Sequence, residues 1–246
     1  MRFIIRYLGG KSRTWKSICA FLESVRKPNQ TYLEPFVGGA WVLQGMSGKR
    51  IASDYNQSLI TLYQSLQQGW IPPTEVSLEL YKEVQAKKDP LDPLTAFVGF
   101  GCSFGGKWFG GYAKDDLTRK YSQNAFNSLN KARPLIKGVE FSYKSYLEYT
   151  PVGYLIYCDP PYQNTTGYGA IGSFNTELFW ETMRQWSLVN TVVVSEYQAP
   201  PDFRCVLEIA TKTDMRMKDG TKDQRVERLF MFRGTEPHQV EQLKLE

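Results

Sequence analysis

The chain holds a single histidine, His238, and four widely scattered cysteines, Cys19, Cys102, Cys158 and Cys205, none in a CxxC pair. One imidazole in a polar tail leaves a Ser-His-Asp triad, a histidine general base and a His-rich metal centre without their ingredients. Thiols spread this thinly build neither a disulfide framework nor a zinc site, so the expectation is a reduced, intracellular, metal-free protein. Long apolar runs are missing as well. None approaches the ~18 to 20 residues that a membrane span needs, and the N-terminal apolar stretch is too short for a signal peptide. Neither sign of charge dominates: 30 basic against 25 acidic residues give a net +5, which permits a polyanionic partner without demanding one. Any catalysis must therefore run on carboxylates, backbone groups and aromatic rings.

With 246 residues, 42% of them hydrophobic, the chain has material for one large domain, or a domain carrying an insert, around a buried core. Two α/β stretches flank a different middle. In the first, a strand over residues 31–36 leads into Val37-Gly38-Gly39, an apolar helical segment over 40–46, a second strand over 50–54 ending in Asp54, and a helix over 57–67. Strand, glycine turn, helix, strand, acid is the order of a nucleotide-binding crossover. The second stretch reads as a helix over 124–136 and strands over 139–143, 154–158, 191–195, 205–210 and 228–233. Phe179, Met183 and Trp186 fall at helical spacing and read as core. The proline- and glycine-rich residues between reads as an inserted unit. The expected division is 1–66 and 119–246 as one unit and 67–118 as the insert.

The most informative segment is the apolar strand that ends in Cys158-Asp159-Pro160-Pro161-Tyr162. Ligands bind at the carboxyl ends of strands in open α/β sheets. The two prolines donate no N–H, so this turn offers acceptors: the Asp159 carboxylate and the Pro160 carbonyl. Rigid acceptors beside the ring of Tyr162 suit a planar heteroaromatic group bearing NH2. Gripping both amino protons favours the pyramidal form of the nitrogen, with its lone pair available, and this is positioning and electrostatics without histidine or metal. A structural strand-to-turn Asp-Pro-Pro is the other reading of the same residues. Gly38 and Gly39 allow the backbone close to a ligand, and Asp54 at a second strand end suits ribose hydroxyls. The loop does not fit GxGxxG, so an adenosine-bearing ligand without a pyrophosphate fits better than a dinucleotide.

Four motifs in this order resemble the Dam-type, D12-class DNA adenine N6-methyltransferases, particularly their small phage and prophage members. Arg6-Tyr7-Leu8-Gly9-Gly10-Lys11 is similar to the family's N-terminal segment, Glu34 to Gly39 to its glycine loop, Ser53-Asp54-Tyr55-Asn56 to its acidic strand end, and Asp159 to Tyr162 to its DPPY box. The resemblance implies a Rossmann-like α/β methyltransferase fold in the cytoplasm of a bacterial cell, with a helical and hairpin target-recognition insert. It implies S-adenosylmethionine as cofactor with no metal, and transfer of its methyl group to adenine N6 in double-stranded DNA. An adenine inside a duplex cannot reach such a pocket, so the base is flipped out. Carried over residue by residue, Tyr7, Gly9, Gly10, Lys11, Glu34, Phe36, Gly38, Gly39, Asp54, Tyr55 and Asp159 surround the cofactor, and Asp159, Pro160, Pro161 and Tyr162 grip the adenine. No membrane and no obligate protein partner is implied.

The family places target recognition in the insert, which here contains FVGFGCSFGGKWFGGYAK over residues 97–114. Glycine, aromatic and lysine residues interleave as in a mobile hairpin that touches phosphate and wedges into a base step. Lys107, Lys114, Arg119 and Lys120 are candidate phosphate contacts and Trp108 a candidate wedge. Members that methylate GATC carry a longer, Asn- and Arg-rich hairpin, whereas no arginine occurs between Phe97 and Lys114, so no recognition sequence is implied. Residues 163–174 read as a lid over the target base or a plain surface loop. Rival readings are a same-fold methyltransferase acting on RNA or a protein amide, whose members carry Asn in place of Asp159, and a catalytically silent DNA-binding protein.

Overall fold

In the computed structural model, residues 5–7, 9–115, 120–161, 174–216 and 222–235 are described. Seven strands form one sheet: β1 (Tyr32–Glu34), β2 (Arg50–Asp54), β3 (Val139–Tyr143), β4 (Leu155–Cys158), β5 (Thr191–Glu196), β6 (Phe203–Arg216) and β7 (Lys222–Phe232). Their order is β3-β2-β1-β4-β5-β7-β6. The first five run parallel, and β7 joins β5 antiparallel with β6 paired outside it. Chain order reverses between β1 and β4, which makes that crevice the switch point where a doubly wound sheet receives its ligand.

The central parallel strands β1, β4 and β5 are buried on both faces, so β4 and β5 read as near-continuous apolar runs. Alternate residues sort to opposite sides, as a period of two requires. Tyr32, Leu155, Tyr157 and Val193 enter one hydrophobic cluster, while Leu33, Ile156, Cys158, Val192 and Val194 enter the other. The first cluster is covered by α1 (Trp15–Val25) and α2 (Gln57–Gln67), through Ile18, Leu22, Leu59, Tyr63 and Leu66. The second is covered by α6 (Thr176–Ser187), whose Phe179, Met183 and Trp186 are buried as their spacing indicated. Side-chain caps set the starts: Asn56 accepts from Leu59 N–H at 3.3 Å and Asn175 from Leu178 N–H at 3.0 Å.

Three sequence expectations change. No helix forms over 40–46; Leu43–Gly45 makes one 3-10 turn. With left-handed backbone at both Gly38 and Ala40, the segment closes as a tight turn whose Val42, Leu43 and Met46 pack with Ile18 and Leu22 of α1 in the first cluster. Strands β6 and β7 run longer than their apolar cores suggested, because they pair with each other beyond β5. Residues 97–114 do not project as a mobile hairpin. After α3 (Leu78–Lys87) and α4 (Pro93–Ala96), Phe97–Gly101 form a buried π-helical turn, and Ser103 bridges Tyr112 across a tight loop. Phe97, Val98, Phe100 and Phe109 share the first cluster with Ile18 and Tyr63, so these aromatics are spent on the core. Gly106 is where this loop meets the N-terminal segment: a Cβ there would stand 2.8 Å from the carbonyl carbon of Arg6. The chain continues through α5 (Tyr121–Ala132) to β3.

Candidate active site

The glycine loop leaves β1 at the switch point and is tied to β2 from both ends. Val37 N–H donates to Ser53 O at 2.9 Å, and Gly38 N–H donates to Asp54 Oδ2 at 2.8 Å. Gly38 carbonyl accepts from the Tyr63 hydroxyl at 2.5 Å. Asp54 Oδ1 accepts from Asn56 N–H at 2.9 Å. An ionised carboxylate has about four lone-pair sites, so after closing the loop Asp54 keeps capacity for ligand hydroxyls. Burial pushes its pKa up to about 6, against the pull of the Gly38, Asn56 and Tyr55 N–H groups.

Gly38 has a φ of +42°, and a Cβ there would lie 3.1 Å from the Tyr7 ring. Tyr7 in turn stacks obliquely on Phe100, with centroids 5.1 Å apart. Tyr7 O accepts from Gly10 N–H at 3.1 Å, and Lys11 O accepts from Trp15 N–H at 2.9 Å. This turn into α1 delivers the Lys11 side chain, 5% exposed, to the end of β4, where its ammonium stands 2.8 Å from Asp159 Oδ1. Asp159 follows Cys158 directly, and Pro160 behind it is buried.

Lys11 has a second acid at 3.3 Å, Glu227 of β7. The Glu227 carboxylate accepts a hydrogen bond from the Ser195 hydroxyl. Although burial works against its charge, the attraction of Asp159 and Glu227 carries the Lys11 pKa above its ordinary value. Glu196, the last residue of β5, is pushed up to about 7 by burial, with Asp159 and Glu227 adding repulsion and Lys11 opposing it. Glu34 faces inward, with Tyr32 donating to its Oε2 at 2.6 Å. Burial first, then Asp159 and Asp54, holds its carboxyl well above the usual range. A site with this many carboxylates around one ion-paired lysine is short of positive charge, which suits a ligand carrying cationic groups.

The sequence candidates therefore divide. Tyr7, Gly10, Lys11, Gly38, Gly39, Asp54 and Asp159 converge on the ends of β1, β2 and β4. Gly9 is exposed beside them. Glu34 belongs to the core edge of the site, bonded to Tyr32. Phe36 turns to the opposite face, 5.2 Å from Tyr146 and 5.9 Å from Phe179 between centroids. Tyr55 is 55% exposed, its ring 5.6 Å from that of Tyr143. Lys107, Lys114 and Lys120 are exposed, and Trp108 is half-buried, 4.7 Å from Phe100. Tyr162, Arg119 and the expected lid up to residue 173 lie outside the described residues. Glu227 went unnoticed in the sequence. Its one signal is parity: it shares a strand face with the buried Leu229 and is an acid where that face demands an apolar residue.

Among the described residues, no group of three or more metal-ligating side chains occurs, and no helix is long and apolar enough to cross a membrane. Residues 7–91 match the family profile of the D12 class N6 adenine-specific DNA methyltransferases. The matched segment includes Tyr7, Lys11, the glycine loop and Asp54, and ends before Asp159. Among curated protein sequences, none matches the chain.

Proposed function

We propose that the chain, whose residues 7–91 match the profile of the D12 class N6 adenine-specific DNA methyltransferases, is a methyltransferase of that class and moves a methyl group from S-adenosylmethionine directly to N6 of an adenine flipped out of double-stranded DNA. When bound, S-adenosylmethionine supplies an electrophilic methyl group on a sulfonium. Tyr7, Lys11, the loop over 36–39 and Asp54 would hold it, with the remaining acceptor capacity of Asp54 directed to ribose hydroxyls. The surplus of carboxylates suits its sulfonium and ammonium charges.

Asp159 and the Pro160 carbonyl accept the two amino protons of the adenine. That grip holds the nitrogen lone pair out of conjugation and aims it, which is preorganisation rather than covalent catalysis. The lone pair forms the new N–C bond, the C–S pair departs with sulfur, and one amino proton leaves through the Asp159 carboxylate. The target must be swung out of the duplex to meet a turn recessed at a strand end. Lys107, Lys114 and Lys120 supply phosphate contacts near this site, since the loop next to Lys107 rests on Tyr7 through Gly106. Trp108 supports that loop from its half-buried position.

The observation that carries this reading is the 2.8 Å contact between Lys11 and Asp159. It joins a residue inside the matched segment to the strand-end acid outside it. The test is Asp159→Ala, which is expected to abolish methyl transfer while DNA retention in a gel-shift titration stays close to wild type. Loss of both together would make Asp159 a structural residue and remove it from the mechanism.

A further inference from the structure

We propose that Glu227 is a positioning residue for methyl transfer, acting through Lys11 to fix the Asp159 carboxylate at the adenine amino group. The inference rests on the methyltransferase reading above and extends it to a strand on the far side of β5. A lysine ammonium is a point charge on a flexible stem and takes its position from its partners. Lys11 is held from two sides, with Asp159 at 2.8 Å and Glu227 at 3.3 Å. Its side chain is 5% exposed and that of Glu227 is 14% exposed, so water screens the arrangement little. Glu227 is itself fixed by the Ser195 hydroxyl, on the strand next to β4.

The chain Ser195–Glu227–Lys11–Asp159 thus links the ends of β5 and β4 and the middle of β7 to the turn before α1. With Asp159 as its only acid, Lys11 would take its position from the very partner it is meant to hold. A second acid behind the ammonium pins it between the end of β4 and the middle of β7. Sharing one positive charge between two carboxylates also leaves the group net negative, which preserves Asp159 as a hydrogen-bond acceptor for the amino protons. Glu196 at the end of β5 repels Asp159 and Glu227 in the same sense when ionised.

The test compares wild type, Glu227→Gln, Ser195→Ala, Lys11→Met and the Lys11→Met/Glu227→Gln pair. Single-turnover methylation of plasmid DNA free of methyladenine gives the rate, and calorimetry gives the S-adenosylmethionine Kd. For Glu227→Gln the rate falls by on the order of 100-fold, as for a reacting group misplaced from a distance, while Kd stays within about twofold. Ser195→Ala, which keeps both charges, shows a smaller loss with the same split. The paired variant is no slower than Lys11→Met alone, because both changes break one chain. A Glu227→Gln rate close to wild type, losses of rate and Kd in step, or losses that multiply in the pair would overturn the proposal. Should Glu227→Gln yield no folded protein, an unchanged rate in Ser195→Ala overturns it. A wild-type chain that binds the cofactor and leaves adenine unmethylated overturns the underlying reading, and this inference with it.

Discussion

Replacing Gly38 by alanine strikes three features of the site at once. At a φ of +42°, a residue with a Cβ pays about 1–2 kcal/mol for left-handed backbone. The usual gain from Gly→Ala in the unfolded chain, about 0.4–1 kcal/mol, offsets part of this. The new methyl would stand 3.1 Å from the Tyr7 ring, so the ring or the loop must shift. A shift of the loop weakens the Gly38 N–H to Asp54 bond of 2.8 Å, which is charge-assisted and worth about 1.5–3 kcal/mol. A net loss of about 1–2 kcal/mol lowers Tm by about 2–8 °C in a domain of this size. Cofactor binding should suffer more, because Tyr7 and Asp54 are the residues proposed to hold the cofactor: a loss of about 1.4 kcal/mol or more weakens it at least tenfold. Differential scanning fluorimetry, with and without S-adenosylmethionine, and calorimetry measure the two effects. A Tm and a Kd both unchanged would mean that the loop does not need its left-handed turn or its contact with Tyr7, and the construction of the site would fail.

Other consequences can be checked separately. Asp54 and Glu196, pushed up to about 6 and about 7, are each partly protonated near pH 6.5, and a cationic cofactor favours their ionised forms. Binding should therefore release roughly one proton at pH 6.5, and affinity should rise with pH through this window; calorimetry in buffers of different ionisation enthalpy reads the release, and proton uptake would contradict the electrostatic reading. The sign for folding is the opposite of that for a salt-bridged acid. Because Asp54's folded pKa lies above its unfolded value near 3.8, its contribution is most favourable below that value and is lost as pH rises to about 6. Changing Lys107, Lys114 and Lys120 to glutamine should reduce the slope of log K against log salt by roughly 0.9 for each phosphate contact removed. An unchanged slope in DNA-binding titrations would place the duplex elsewhere.

Much of the catalytic face was legible because parallel strands in a covered sheet betray themselves. The apolar runs before Asp159 and through Val192–Val194 located β4 and β5, and the acids that closed β2 and β4 marked the ligand edge. The helix expected over 40–46 failed because its apolar residues serve a tight turn under α1, which composition alone does not separate from a short helix. The glycine and aromatic pattern over 97–114 was misread for a physical reason. Glycine marks mobility or close packing with equal ease, and at Gly106 it makes room for the backbone of Arg6 and Tyr7. Glu227 was hidden by distance: its partner Lys11 lies near the opposite end of the chain, and only the closing of β7 onto β5 brings the two together.

The central claim is tested most directly by incubating the purified chain with S-adenosylmethionine and methyladenine-free double-stranded DNA, then digesting the DNA to nucleosides for mass spectrometry. The account predicts N6-methyladenine, and none with Asp159→Ala. Cofactor binding with no methylated adenine, or a methyl group on another base, would contradict it.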